Sequence, residues 1–139
     1  MKTKTILNII DRVAESVEPV SQARLAAAIV YKNDVVAIGT NKNKTHPLQS
    51  KFAKHEQAIY LHAEIDAIKN ALRHLTHKEL AKSTLYISRM RFDASETKPV
   101  STNLKRGLAM PCSGCMRAIK SFGIKNVCFT TDDQEFAWL

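Results

Sequence analysis

Two short motifs far apart in the sequence do most to limit how this chain can fold: His62-Ala63-Glu64, and Pro111-Cys112-Ser113-Gly114-Cys115. Cys112 and Cys115 stand three positions apart. On the first turn of a helix both sulfurs then fall on one face and can grip a single tetrahedral ion. An imidazole from His62 makes a set of three protein ligands, and zinc held by three keeps its fourth position for water. Such an ion lowers the pKa of bound water from about 15.7 to about 7, so an attacking oxygen exists at neutral pH. Glu64, two positions beyond His62, points away from the ligand direction and is placed to act as the base that handles the proton. The rest of the chain then reads as scaffold and pocket around two halves that must meet. A lone Cys-x-x-Cys is ambiguous among structural zinc, a redox dithiol and coincidence. A structural zinc clip needs a fourth ligand from Cys128, His46, His55, His74 or His77. These residues lack the second closely spaced pair usual in four-ligand sites.

An H-x-E motif followed by P-C-x-x-C is the signature of zinc-dependent nucleobase deaminases, and the chain resembles the cytidine and deoxycytidylate deaminase superfamily. The likeness runs through Leu61-His62-Ala63-Glu64-Ile65-Asp66-Ala67-Ile68 and through residues 111 to 127, both similar to the deoxycytidylate deaminase pattern. The resemblance implies a cytidine-deaminase-like fold, one catalytic Zn²⁺ on His62, Cys112 and Cys115, and Glu64 as catalytic proton shuttle. The implied reaction is hydrolytic: the cytosine of a free nucleotide such as dCMP becomes uracil and ammonia leaves. Backbone groups around Ala63, Pro111 and Ser113 are expected, by resemblance, to contact the base. Asn41, which by residue type alone reads as a turn former after a strand, is by resemblance a contact to the sugar.

Composition narrows the partners. With 139 residues the chain is expected to be one domain, 1–139, able to bury about two-thirds of its unfolded surface. The 45% apolar and 24% charged fractions fit a water-soluble globular protein rather than a disordered or disulfide-stapled one. Three cysteines, two assigned to metal, leave Cys128 without a disulfide partner, which points to a reducing compartment. Residues 1 to 15 scatter charges among apolar positions and read as neither signal peptide nor membrane span. A cytoplasmic protein without membrane association is expected. The net charge of +8 points to an anionic partner. Lys42, Lys44, Lys51 and Lys54 precede the first motif without an acid between residues 41 and 55; Arg89, Arg91, Lys98, Lys105 and Arg106 precede the second. If both segments border the pocket, its rim is positive and suits a phosphate-bearing substrate. Arg91, Lys105 and Arg106 are the candidates to meet that phosphate.

Along the chain, Ile6, Ile9, Ile10, Val13 and Val17 recur at helical spacing and predict an amphipathic helix over residues 3 to 17. Residues 23 to 31 and 35 to 38 read as a hairpin around a tight turn at Lys32-Asn33-Asp34. The segment from Lys42 to about His55, containing His46-Pro47, reads as a pocket-edge loop. Helical periodicity spans residues 58 to 75, with His74 and His77 capping or solvating its far end, and a central strand follows at 84 to 88. Arg89 to Phe92 extends that strand, and residues 93 to 105 read as a flap. The second motif opens a helix over residues 112 to 121 that Gly123 ends, followed by a parallel strand at 127 to 131 and a short edge strand at 135 to 139. This order gives a three-layer α/β/α fold with a mixed four- to five-stranded sheet. The last helix usual in the resembled family has no counterpart, and Phe136 and Trp138 are expected to find cover at the interface of a homo-oligomer.

Two other functions compete. The basic rim also admits a deaminase acting on cytosine or adenine in single-stranded nucleic acid or tRNA. Binders of that kind stack bases on aromatic platforms, and Phe52 and Phe92 are the only aromatics in the two basic segments. A non-catalytic, zinc-braced binding module is the remaining option, and it leaves Glu64 without a task.

Overall fold

The computed structural model describes residues 2–19, 23–52, 60–92 and 104–139. Its elements run α1 (Thr3–Ser16), β1 (Arg24–Tyr31), β2 (Asp34–Thr40), α2 (Pro47–Phe52), α3 (Ala63–Ala71), α4 (His77–Ala81), β3 (Thr84–Phe92), β4 (Leu104–Gly107), α5 (Ser113–Ser121), β5 (Asn126–Thr130) and β6 (Phe136–Trp138). The sheet is mixed and six-stranded, ordered β2-β1-β3-β5-β6. β1 lies antiparallel to both β2 and β3, and β5 joins β3 in parallel. The β1–β2 turn is made by Lys32 and Asn33, both at positive φ (50° and 66°), the two-residue geometry whose twist matches the strands it joins.

Alternation along the central strands sorts side chains onto two faces. Ala26, Ala28, Tyr86 and Met90 face α1, which buries Ile6, Leu7, Ile10 and Ala14 against them. Ala27, Ile29, Leu85 and Ile87 face the other way and pack with Ala67, Ile68 and Ala71 of α3 and Ile119 of α5. Three layers result, as the element order implies. Among the described residues no helix is long and apolar enough to cross a membrane.

Several elements differ from the sequence reading, each for a local reason. The apolar stripe of α1 centres on Leu7 and Ala14, leaving Ile9 exposed. Where a loop was expected after Lys42, Pro47 opens the short helix α2, because its fixed φ suits a first helical position and the missing N–H is not needed there. The His46 Nδ1 accepts the Leu48 N–H at 3.0 Å at the same end. Of the helix expected over 58 to 75, α3 covers only Ala63–Ala71, and a further helix that was not expected, α4, follows it, started by a capping box. In that box the Thr76 side chain accepts from Glu79 N–H while the Glu79 carboxylate accepts from Thr76 N–H. Residues 53–59, with His55 and the expected start at Ala58, lie outside the described residues, as do residues 93–103 of the expected flap. A sixth strand, β4, pairs antiparallel with the outer half of β3, from Arg89↔Gly107 to Phe92↔Leu104. Thr130 at the end of β5 fixes this junction: its hydroxyl donates to the Gly107 carbonyl at 2.8 Å and accepts the Arg89 N–H at 3.1 Å.

Two contacts hold α3 on the sheet. Gly39 of β2 lies directly under the helix, with its missing Cβ replaced by the Ala67 and Ala63 backbone. Beside it, buried Asp66 accepts the Thr40 N–H at 3.0 Å and pairs with the ammonium groups of Lys42 and Lys69. Burial pushes the Asp66 carboxyl up, but the Lys42 ammonium, the Thr40 N–H and Lys69 together outweigh it and hold the carboxyl below its ordinary value. The stability this gives is present above the ordinary carboxylate range and is lost as pH falls through the lowered value.

Candidate active site and metal group

His62 is the N-cap of α3 and Cys112 the N-cap of α5, both in extended backbone, so the two motifs meet where two helices begin side by side. The His62 Nδ1 lies 3.6 Å from the Cys112 Sγ and 3.3 Å from the Cys115 Sγ. All three donor atoms fall within 4.8 Å of one another. With Zn–S near 2.3 Å and Zn–N near 2.0 Å, a tetrahedral ion would hold nitrogen and sulfur about 3.6 Å apart. The donor set and its spacing therefore fit zinc. No other such group of His, Cys, Asp or Glu occurs among the described residues. His46 is committed to α2, His77 stacks on Phe122 with ring centres 5.8 Å apart, and Cys128 is buried on the α1 face.

Neighbouring groups fix the backbone that carries His62. The Gln49 Oε1, buried in α2, accepts the His62 main-chain N–H at 3.0 Å. Leu61 N–H donates to the Lys42 and Lys44 carbonyls at 3.2 and 2.9 Å, tying the end of β2 to the approach to α3. Below the donors, Phe52, Leu61, Ile65, Cys115 and Ala118 form an apolar cluster, and the Arg117 guanidinium donates to the Phe52 carbonyl at 2.7 Å. Gln49 and Arg117 carry no motif that would single them out in the sequence.

Electrostatics at the group favour metal uptake. A hydrogen bond from the Cys115 thiol and another from His62 depress the Cys112 thiol to about 3, so it is a thiolate at neutral pH. The same hydrogen bond, with burial, pushes Cys115 up: it keeps the proton that a cation would displace. His62 is raised, chiefly by its bond to Cys112. Glu64 is 4% exposed, and burial pushes its carboxyl up against the opposing effect of His62.

A cleft of about 280 Å³ opens over this group. His62, Ala63, Glu64 and Cys112 line it, with Asn41, Arg89 and the apolar Ala23, Leu25, Leu61 and Ala109; Tyr60, Leu108 and Met110 are its exposed apolar members. Asn41 clips the two strands as well: its Oδ1 accepts the Leu25 N–H at 2.8 Å and its Nδ2 donates to the Ala23 carbonyl at 2.9 Å. Pro111 is buried and Ser113 exposed, and neither lines the cleft. The three residues expected to meet a phosphate lie elsewhere. Arg91 pairs with Asp132 at 3.0 Å, and Lys105 borders a separate depression with Arg91 and Asp132. Arg106 turns to the α1 face, where its Nε and Nη2 stand 2.9 and 2.8 Å from the Asp11 Oδ2; the Asp11 Oδ1 accepts the Ser88 hydroxyl at 2.5 Å. Among the described residues, the arginine or lysine that does line the cleft is Arg89. Its inward direction follows from Leu85 and Ile87, four and two positions before it on the same face of β3. Arg106→Ala should therefore destabilise the fold by about 1–2 kcal/mol, because it leaves the partly exposed Asp11 carboxylate with the Ser88 hydroxyl alone in place of a charged partner. In steady-state kinetics it should leave the nucleotide-to-nucleoside ratio of kcat/KM within about twofold of wild type.

No curated protein matches the chain. Among solved structures, a cytidine deaminase from Burkholderia pseudomallei superposes with a TM-score of 0.62 at 16% identity, covering 100% of this chain and 92% of that one. A dCMP deaminase from the cyanophage S-TIM5 superposes in its apo form with a TM-score of 0.56 at 20% identity, covering 94% and 86%. The same phage enzyme in complex with dCMP and dUMP gives a TM-score of 0.56 at 17% identity, covering 94% and 84%. These likenesses concern the fold. The model of the cytidine and deoxycytidylate deaminase zinc-binding region matches residues 1–131. With that match spanning both motifs, the chain belongs to the cytidine and deoxycytidylate deaminase family.

Proposed function

We propose that this protein is a zinc-dependent hydrolytic deaminase that converts the cytosine of a free nucleotide, dCMP first among them, to uracil with release of ammonia. The observation that carries this reading is a group of three metal donors, two of which, His62 and Cys112, line the same cleft as a buried carboxylate outside the group, Glu64. His62, Cys112 and Cys115 would hold one zinc ion, which supplies the Lewis acidity that makes a water nucleophilic near neutral pH. Glu64 takes a proton from the attacking water on a carboxylate oxygen and passes it to the ring nitrogen next to the amine-bearing carbon. A carbon–oxygen bond forms at that carbon. Glu64 then takes the remaining proton of the added hydroxyl and delivers it to the amine; the carbon–nitrogen bond breaks as the carbon–oxygen bond becomes the carbonyl of uracil, and ammonia leaves. Leu25, Leu61 and Ala109 exclude bulk water from the base, and Ala63 offers backbone to its edge. Asn41, already rigid through its bonds to β1, stands at the end of β2 for the sugar. The cleft is small against the usual range of ligand pockets, about 300–1,000 Å³, and suits one nucleotide better than a strand.

Zinc-loaded protein offered dCMP, deoxycytidine, cytosine, dCTP, a cytosine oligonucleotide and tRNA, with ammonia release followed, tests the reading. dCMP should turn over fastest. Turnover of the oligonucleotide or tRNA alone would replace the free-nucleotide assignment, and stoichiometric zinc with no turnover of any would leave a binding module.

A further inference from the structure

Arg89 presents an unsolved charge. Its backbone is held in the sheet by Thr130, but its Nε is buried and has no hydrogen-bond partner. No carboxylate among the described residues pairs with its guanidinium, whereas Arg91 and Arg106 on the same hairpin are both paired with aspartates. The walls around it include Leu25, Leu108 and Ala109, which offer no acceptor side chain. A buried polar group left unbonded destabilises a protein by about 1–3 kcal/mol, and more when charged. Apolar surroundings strengthen any anion contact made there. The two amide atoms of Asn41 are bound to β1, and Glu64 repels anions, so Arg89 is the cleft's available cation among the described residues.

We propose that Arg89 binds the 5′-phosphate of the substrate and thereby makes the cleft selective for nucleotides over nucleosides. A guanidinium presents a planar fork that matches phosphate oxygens two at a time. Glu64 and the metal donors act on the base, so an anion anchored at Arg89 fixes how far the base reaches into the cleft. This assignment rests on the deaminase reading for the identity of the ligand, but its test does not depend on turnover.

Calorimetric binding of dUMP and of deoxyuridine to zinc-loaded wild type, Arg89→Ala and Arg89→Lys decides the matter. Wild type should favour dUMP by about 10- to 100-fold. Arg89→Ala should bring dUMP down to the deoxyuridine affinity without changing the latter, and Arg89→Lys should keep part of the preference. The melting temperature of unliganded Arg89→Ala should stay level or rise, because an unpaired guanidinium is removed. A dUMP preference that survives in Arg89→Ala, or is absent in wild type, overturns the proposal. So does an equal loss of both ligands with a falling melting temperature, which marks a merely architectural role. Ammonia release from dCMP by the same wild-type sample separates the two claims. Arg89-dependent dUMP binding without deamination overturns the catalytic reading and supports the role of Arg89. Deamination with a preference indifferent to Arg89 does the reverse.

Discussion

Replacing Glu64 with glutamine should give a folded, zinc-loaded protein that releases ammonia about 10³-fold more slowly than wild type. The carboxylate is buried and lines the cleft beside His62, yet it stands outside the group of three donors that converge for metal. Glutamine keeps its volume and acceptor oxygen but cannot carry the proton. The proposed reaction moves protons twice, from water to ring nitrogen and then from the added hydroxyl to the departing amine, and both transfers need a group that can be protonated and deprotonated in place. The loss should fall on kcat, with KM nearly unchanged, because the interaction removed exists mainly in the transition state. Stability should hold or increase slightly, since burial penalises the charged carboxylate and glutamine is neutral. Zinc content by mass spectrometry, melting temperature and single-turnover ammonia release together read the outcome. Turnover within tenfold of wild type would remove Glu64 from proton transfer, and loss of zinc would make it part of the metal group.

Much of this arrangement was legible because it depends on short-range chemistry. The spacing of Cys112 and Cys115, the His-x-Glu pair and the parallel strand after Gly123 all follow from local geometry, and Gly123 takes the positive φ of 76° that a helix stop asks for. The alternation of Leu85 and Ile87 puts Arg89 on the face that holds the metal group, although the sequence alone points to Arg91, Lys105 and Arg106 for the phosphate instead. What stayed hidden was the pairing of charges over long sequence distances. Arg106 meets Asp11, and Arg91 meets Asp132. Nothing at either residue in the sequence marks those partners, so a basic stretch next to a motif looked like a rim. The capping box at Thr76 and Glu79 was visible in principle, but the stronger apolar stripe through Leu72 and Leu75 masked it. β4 escaped for a different reason: Leu104 to Gly107 is short and carries two cations, and it becomes a strand by pairing with β3.

The close seating of α3 on β2 predicts the largest effect on stability. A Cβ built on Gly39 would come 2.2 Å from the Ala67 nitrogen, 2.5 Å from the Ala63 carbonyl oxygen and 2.7 Å from the Asp66 carbonyl carbon. All three are helix backbone, which cannot turn aside as a side chain can, so Gly39→Ala must push α3 off the sheet by roughly an ångström to regain ordinary contact. The expected loss is about 3 kcal/mol or more, a fall in melting temperature on the order of 10 °C. Asp66 would leave the Thr40 N–H with the same movement. His62 caps α3 and Ala63 is one of the colliding residues, so the imidazole should drift from the two sulfurs and zinc affinity should drop along with stability. Gly107→Ala is the matched control. There the nearest atom is the Cδ of Arg91 at 2.9 Å, part of a long side chain that can swing away, and the loss should stay below about 1 kcal/mol. Thermal denaturation and a competitive zinc titration of both variants measure the contrast. Equal effects at the two glycines would mean that α3 is free to slide over the sheet, and the metal group would then owe its shape to the helix starts alone.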